Sequence, residues 1–381
     1  MPRLSTSILR HARHQHPLLP LLLRACHDLD SARNELRWLR KHALKTGDSK
    51  SSAPTWQQRF HRLCLERAKG VPLQYILGTQ PFGDLEILCK PGVLIPRPET
   101  ESITTYLASL ISSAFTLKLS QRAKGIDESQ WVADQKPLRI LDLCTGTGCI
   151  PLLMHAILSP RIQNLRIAGA DISPTSVSLA NENLKHNIKG GSLQEKANEQ
   201  LSFYHADVFS DDHCAGRANH TVWDILVSNP PYISPSAFNK TTSRSVRNYE
   251  PKEALVPPQN LLETGEESIR STDTGDTFYP RLLHIAQQVH AKVLLMEVAD
   301  IAQATRVVEL VLGTRRWEAC QIWRDWSGAR KEKRKRKRKR KREVILINGS
   351  ITRVMGEGNG RAVLVWRDGG GKMLGLSERC R

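Results

Sequence analysis

The sequence predicts an α/β protein: a doubly wound, mostly parallel sheet, with a small N-terminal helical domain and a connecting β-hairpin. Three observations carry this. From residue 137 onward, short apolar runs alternate with stretches of helical periodicity, the pattern of strands joined by crossover helices. Residues 28 to 70 show only three- and four-residue apolar spacing, the mark of amphipathic helices. Between the two, proline and glycine punctuate short apolar runs, which suggests a hairpin and an extended segment.

The first 27 residues hold Arg3, Arg10, Arg13 and Arg24, several Ser, Thr and His, and no acid. That is the composition of a mitochondrial transit segment; the alternative is a basic first helix of the folded protein. "DSARNELRWLRKHAL" then places Leu29, Ala32, Leu36, Leu39 and Ala43 on one stripe. After a loop ending near Pro54, "WQQRFHRLCLERAKG" forms a second amphipathic helix closed by Gly70. Residues 28–80 therefore read as a helical domain for partner contact, and 81–101 as the hairpin and linker. The sheet domain spans 102–327. "PLRILDLCTGTGCIPLLMHAIL" reads as strand, turn and helix, "LRIAGADIS", "LSFYHADVF", "WDILVSN", "AKVLLMEVA" and "EACQIWRDW" as further strands, and "PTSVSLANENLKHN", "YPRLLHIAQQVH" and "DIAQATRVVELVLG" as helices. Residues 328–360 read as a basic, low-complexity insertion, in which "REVILINGSI" is a candidate strand. Residues 361–381 hold the strand "RAVLVWR" and a tail. With no helix between them, the strands before and after the insertion are expected to pair antiparallel.

At 381 residues the chain can bury a sizeable core. Eight scattered cysteines include no CxxC pair, so no metal site is expected, and reduced thiols suit an intracellular compartment. No apolar run approaches the roughly 20 residues that span a bilayer, so no membrane partner is expected. The net charge of +18 suggests nucleic acid, yet "KEKRKRKRKRKR" at 331–342 carries eleven basic residues and one acid. Over half of the charge is thus one solvated run rather than a basic face. Direct nucleic-acid binding stays open through that run alone, as an inert insertion, a nuclear signal or a binding tail.

Ligands of such sheets sit at the carboxyl ends of strands near the switch in strand order. The first strand ends in "DLCTGTGCI", where Gly146 and Gly148 allow close backbone approach. Pro151 stands where a dinucleotide fingerprint needs its last glycine, so a pyrophosphate site fails. Asp142 inside the strand instead suits a cationic ligand with an amino acid head, such as S-adenosylmethionine. Asp171 ends the second strand, about 23 residues beyond Gly148, and is placed to hold ribose hydroxyls. Asp207 ends the third, in "HADVF", and is placed to accept from an adenine amino group. As single residues each could be a turn or helix cap; three acids ending successive strands favour a nucleoside.

"VSNPPYIS" ends the fourth strand. Prolines cannot continue a ladder, so the chain stops rigidly there. Asn229 and the Pro230 carbonyl can accept the two N–H bonds of a planar amino or amide group, and Tyr232 can cover its face. The Asn–Pro–Pro–aromatic pattern marks methyltransferases acting on such a nitrogen, in adenine, cytosine or a glutamine amide.

Further stretches narrow this: "GVPLQYILGTQPFG", "GVLIPRPETE" and "YEPKEALVP". With them the chain resembles the HemK/PrmC family of release-factor glutamine methyltransferases, as a fungal-type mitochondrial member, over about residues 60 to 326 and "GRAVLVWR". The resemblance implies a Rossmann-like class I methyltransferase fold and S-adenosylmethionine as cofactor. It implies transfer to the side-chain amide of the Gly-Gly-Gln glutamine of a peptide chain release factor, the protein partner. Asn229, Pro230, Pro231 and Tyr232 would hold the amide. Asp142, Cys144, Thr145, Gly146, Thr147, Gly148, Asp171, Asp207, Val208 and Asn229 would line the cofactor, with Arg97 and Glu99 in support on a "PRPETE" segment folded over the site. A mitochondrial monomer is expected, with nucleus or cytoplasm as alternative locations. Cys144 departs from the family's usual glycine, and the basic run has no family counterpart. The competing readings are a DNA adenine N6-methyltransferase and a non-enzymatic RNA- or ribosome-binding protein.

Overall fold

The computed structural model describes residues 4–45, 54–122, 136–210, 222–258, 273–325, 343–347 and 349–376. The basic run at 331–342 lies outside these, as do Cys214 and Cys380. The six cysteines within them are thiols. No helix among the described residues is long and apolar enough to cross a membrane, and no group of His, Cys, Asp and Glu is arranged to hold a metal.

The chain forms two compact units. The first takes in the described residues of Met1–Gln80, Cys89–Ile95 and Thr241–Pro251. Its helices include Thr6–Gln15, Leu19–Cys26, Leu29–Lys45 and Trp56–Ala68. Thr55 caps the last of these in a reciprocal capping box with Gln58. The expected stripe of the third helix is inside: Ala32, Leu39 and Ala43 are buried, with Leu29 and Leu36 packed on them. The boundary expected at residue 27 is not a structural one. Ala12, Leu19, Leu22 and Leu23 from the first two helices lie in the same apolar core, so this segment folds as basic helices with a buried stripe. The 241–251 segment, read as part of the sheet domain, groups here too. Ser245 Oγ donates to Gly70 O (2.6 Å), and Glu250 accepts from the Ile95 N–H (3.1 Å).

The second unit takes in the described residues of Pro81–Leu88, Pro96–Lys240 and Lys252–Arg381. A two-stranded hairpin, β1 (Thr79–Phe82) and β2 (Leu85–Leu88), precedes the main sheet as expected. The strands that follow are β3 (Leu138–Leu143), β4 (Leu165–Asp171), β5 (Leu201–His205), β6 (Ile225–Ser228), β7 (Val293–Glu297), β8 (Ala319–Arg324), β9 (Glu343–Ile347), β10 (Ser350–Met355) and β11 (Gly360–Trp366). Their order is β5-β4-β3-β6-β7-β11-β8-β10-β9. β5 through β7 run parallel, and β11 is antiparallel to both β7 and β8. This is a doubly wound, Rossmann-like sheet, as the sequence predicts. β3 is flanked by β4 on one side and β6 on the other, so the order reverses between β3 and β6, where a ligand crevice opens.

Two expectations need correction. Residues 98 onward are not extended: Pro98–Arg122 is a 25-residue helix. Proline at its first position and glutamates in its first turn are start signals, and Ile103, Leu107, Ala108 and Ile111 enter the sheet core. The insertion is also shorter than 328–360. β9 and β10 form an antiparallel hairpin whose β10 runs parallel to β8 at the sheet edge. The expected antiparallel pairing of β8 with β11 holds.

Candidate active site

The switch point gathers the sequence-derived residues. The loop after β3 alternates into the left-handed region at Cys144 (φ 62°), Gly146 (φ 55°) and Gly148 (φ 77°). Gly148 is required there, since a Cβ would lie 2.9 Å from Ala180 Cβ and 3.0 Å from the Phe203 ring. Cys144 occupies a conformation that glycine adopts without strain. Only Cys144 and Gly146 of this loop reach the surface; Thr145, Thr147 and Gly148 are buried. The first pair forms the exposed rim of the loop, and the others are packed beneath it.

Asp171 braces the rim. Its carboxylate accepts from the Gly146 N–H (2.8 Å) and the Ser173 N–H (2.9 Å). Burial raises its pKa, against those backbone bonds. Asp207 lies two residues beyond β5, half-buried, and accepts from the Phe209 N–H (2.9 Å). Val208 is buried, its carbonyl held by Arg281 (2.6 Å). Ile172, directly after Asp171, is 58 % exposed. Sequence reasoning passed over it, although a large apolar residue left in solvent beside an acid at a strand end is a surface on which a flat ring can stack.

Asp142 is fully buried, and neither oxygen has a hydrogen-bond partner in place among the described residues. Burial pushes its carboxyl well above the ordinary range, and the charges of Asp171 and Glu297 add to the rise. An orphaned buried carboxylate is the kind of group that a cationic ligand nearby stabilises. With Asp171 ending β4 and Asp207 just beyond β5, the set of acceptors fits S-adenosylmethionine.

The other half of the crevice begins at Asn229, one residue beyond β6. Ser228 Oγ donates to Leu143 O (2.9 Å), tying the end of β6 to β3. Pro230 and Pro231 are buried, while Asn229 and Tyr232 are half-buried. Asn229 Nδ2 donates to the Thr100 hydroxyl (3.3 Å), which donates to Glu297 Oε2 (2.8 Å). Tyr232 O–H donates to Glu297 Oε1 (3.3 Å). Glu297, the last residue of β7, is buried, and burial raises its carboxyl to about 7 against these two hydroxyl bonds.

The turn is also gripped from behind. Gln303 Nε2 donates to Tyr232 O (3.1 Å), Gly275 O (3.3 Å) and Asp276 Oδ1 (2.8 Å), and Asp276 is paired with Arg306 (2.9 Å). A Cβ on Gly275 would come within 2.6 Å of Tyr232 O. The Ile233 N–H donates to Leu255 O (2.8 Å), which joins "NPPYIS" to "KEALVP". Arg97 and Glu99 flank the start of the Pro98–Arg122 helix. Burial raises the Tyr232 hydroxyl, and Arg97 is among the charges that oppose it; burial raises Glu297, and Glu99 adds to the rise. Thr100, Glu297, Gln303 and Asp276 were not singled out from the sequence. The only available signal was an acid ending an apolar strand, in "LLMEV".

Comparison with known proteins agrees with this geometry. Residues 128–264 match the family model described as N-6 DNA Methylase. The chain is 38% identical over 257 residues to the Saccharomyces cerevisiae protein named mitochondrial MRF1 N(5)-glutamine methyltransferase MTQ1, covering 67% of this chain and 68% of that one. It is 34% identical over 314 residues to the probable MRF1 mitochondrial N(5)-glutamine methyltransferase of Schizosaccharomyces pombe, covering 80% and 88%. A release factor glutamine methyltransferase of Chlorobaculum tepidum is 34% identical over 202 residues, covering 53% of this chain and 58% of the relative. A doubly wound sheet, an acid-lined glycine loop and an Asn-Pro-Pro-Tyr turn thus occur together in a chain that aligns with these enzymes over most of its length: it belongs to the release-factor N(5)-glutamine methyltransferase family.

Proposed function

We propose that this chain transfers a methyl group from S-adenosylmethionine to the side-chain amide nitrogen of the Gly-Gly-Gln glutamine of a mitochondrial peptide chain release factor. The observation that carries the reading is the place of Asn229. It stands at the switch in strand order, at the end of β6 next to the loop that follows β3, with its Nδ2 engaged by Thr100 and its carbonyl therefore left for an incoming N–H. The names of the two yeast relatives support the glutamine and the mitochondrion.

The bound cofactor supplies an electrophilic methyl group on a sulfonium. Cys144 and Gly146 form the rim that meets it, Asp171 and Asp207 hold its ribose and base, and Ile172 covers the base. An amide nitrogen is a poor nucleophile, because its lone pair is delocalised into the carbonyl. The Asn229 carbonyl and the Pro230 carbonyl accept the two amide N–H bonds and so hold the nitrogen in line with the methyl. Charge would grow on nitrogen as its lone pair forms the new N–C bond while the methyl–sulfur bond breaks and its electron pair leaves with the neutral thioether, S-adenosylhomocysteine; both carbonyls would stabilise that charge. Tyr232 closes the flat face. Pro230 and Pro231 fix the direction of these acceptors, and no strong base is needed, since a protonated amide is acidic enough to lose its proton to water.

The test is incubation of the full chain with labelled S-adenosylmethionine and a mitochondrial release factor, wild type against its Gln→Ala form. Label is expected only in the wild-type factor. Equal labelling of both forms sinks the glutamine assignment. Duplex DNA is included because the N-6 DNA Methylase match covers the catalytic region, and preferential labelling of DNA would replace the reading.

A further inference from the structure

We infer that Glu297, acting through the Thr100 hydroxyl, orients the Asn229 amide so that its oxygen rather than its nitrogen meets the substrate. The inference rests on the proposed methylation of a planar amide nitrogen. It assigns a positioning role to two residues outside the Asn-Pro-Pro-Tyr motif.

The target N–H₂ brings donors, so Asn229 is useful only when its carbonyl faces outward. Nothing in an amide's shape distinguishes its two ends, which differ only in hydrogen bonding. Asn229 Nδ2 and Glu297 Oε2 both contact the Thr100 hydroxyl, at 3.3 Å and 2.8 Å. That hydroxyl has one proton. A carboxylate can only accept, so the proton goes to Glu297, and Thr100 must then accept from its other neighbour. Asn229 can satisfy that only with its N–H₂ inward. Tyr232 O–H donates to the second Glu297 oxygen at 3.3 Å, so the same carboxylate also holds the aromatic lid.

Glu297 sits among charged and titratable groups from every element packed on it. The Pro98–Arg122 helix brings Thr100 and Glu99, and Arg97 precedes it. β11 brings Arg361, and β3 brings Asp142. The helix Phe278–Gln288 brings Tyr279, whose hydroxyl donates to the Glu297 backbone carbonyl (3.1 Å). Burial outweighs the rest and raises Glu297 to about 7. Protonation below that value gives Glu297 a donor of its own. Thr100 is then free to donate to Asn229, and the amide can reverse, presenting N–H₂ to N–H₂.

The experiment compares wild type, Thr100→Val, Thr100→Ser and Glu297→Gln as full chains, with the release factor as substrate. S-adenosylmethionine binding is measured by calorimetry, and kcat and KM are measured between about pH 5.5 and 8.5. Thr100→Val, which keeps shape and removes the hydroxyl, is expected to bind the cofactor as wild type does. Its kcat should fall about tenfold or more, the worth of one hydrogen bond at the reacting group, and Thr100→Ser should recover most of it. Wild-type kcat/KM should fall below pH 7, and Glu297→Gln should lack that acid limb. A merely structural role for these residues would move melting temperature and cofactor binding but not the pH profile. Thr100→Val at wild-type kcat, or an acid limb kept in Glu297→Gln, overturns the relay alone. A wild-type chain that binds cofactor and does not methylate the release factor overturns the functional reading, and the relay with it.

Discussion

At the residue scale, Asn229 and Cys144 make opposite demands on the local chain. Asn229 contributes little to packing, being half-buried beside two buried prolines. Asn229→Ala is therefore expected to keep cofactor binding and lose methyl transfer by about 10²–10³-fold, the usual loss when one preorganised partner of a developing charge is removed. Calorimetry and a single-turnover assay check both halves. Loss of cofactor binding would make Asn229 a cofactor ligand instead. Cys144 holds φ 62°, where a Cβ crowds the backbone. Cys144→Gly should raise stability by about 0.5–1 kcal/mol, since the strain relieved is offset in part by glycine's greater unfolded entropy; a melt in denaturant reads this. Both residues were legible, because proline pairs and glycine loops constrain the backbone in ways that spacing reveals. Thr100, Gln303 and Asp276 were not. Their roles come from long-range partners, 197, 71 and 27 residues apart in the chain, and nothing local marks them.

At the element scale, the hairpin is held by asparagines of the Pro174–Lys189 helix rather than by more strands. Asn187 accepts from the Glu86 N–H (3.1 Å) and donates to the Glu86 carbonyl (3.0 Å). Asn183, one turn earlier, accepts from the Leu88 N–H (2.6 Å) and donates to the Thr147 carbonyl (3.0 Å). Two amides on one helix face thus stand in for a neighbouring strand, and only the second reaches the cofactor loop. Each Asn→Ala substitution leaves buried backbone groups without partners and should cost about 1–3 kcal/mol. Asn183→Ala should also weaken S-adenosylmethionine binding, whereas Asn187→Ala should not. Equal cofactor affinity in both variants would break the link between hairpin and loop. The sequence showed a helix here and did not show its clamp, because "LANENLKHN" reads equally well as a solvated face. The parallel strands were legible, being short apolar runs buried on both faces. The Pro98–Arg122 helix was not: its apolar residues are spread around much of its circumference, so the stripe is faint, and the proline-rich stretch before it drew the eye to extended structure.

At the scale of the whole molecule, the site burdens the fold that carries it. Glu297 ends a fully buried strand, and its pKa rises from the ordinary 4.5 to about 7 because burial disfavours the charged form. The folded state therefore holds this proton more tightly than the unfolded chain does. A contribution to stability present in full below about pH 4.5 is lost as pH rises toward 7, and the loss is on the order of 3 kcal/mol. Asp142, shifted in the same direction by burial, adds to the trend. The charged Glu297 that orients Asn229 is thus the less stable form, as expected where function and stability compete. Glu297→Gln removes the titration while keeping a side chain that can accept from Thr100. Compared with wild type, it should be more stable at about pH 8 by one to a few kcal/mol and little different at about pH 5. Taking the difference between the two proteins at each pH cancels the other titrating groups. Denaturant melts at both values decide the matter: parallel pH curves for the two proteins would mean that Glu297 ionises at its ordinary value in the fold, and that the hydroxyls of Thr100 and Tyr232 fully replace the water it has lost.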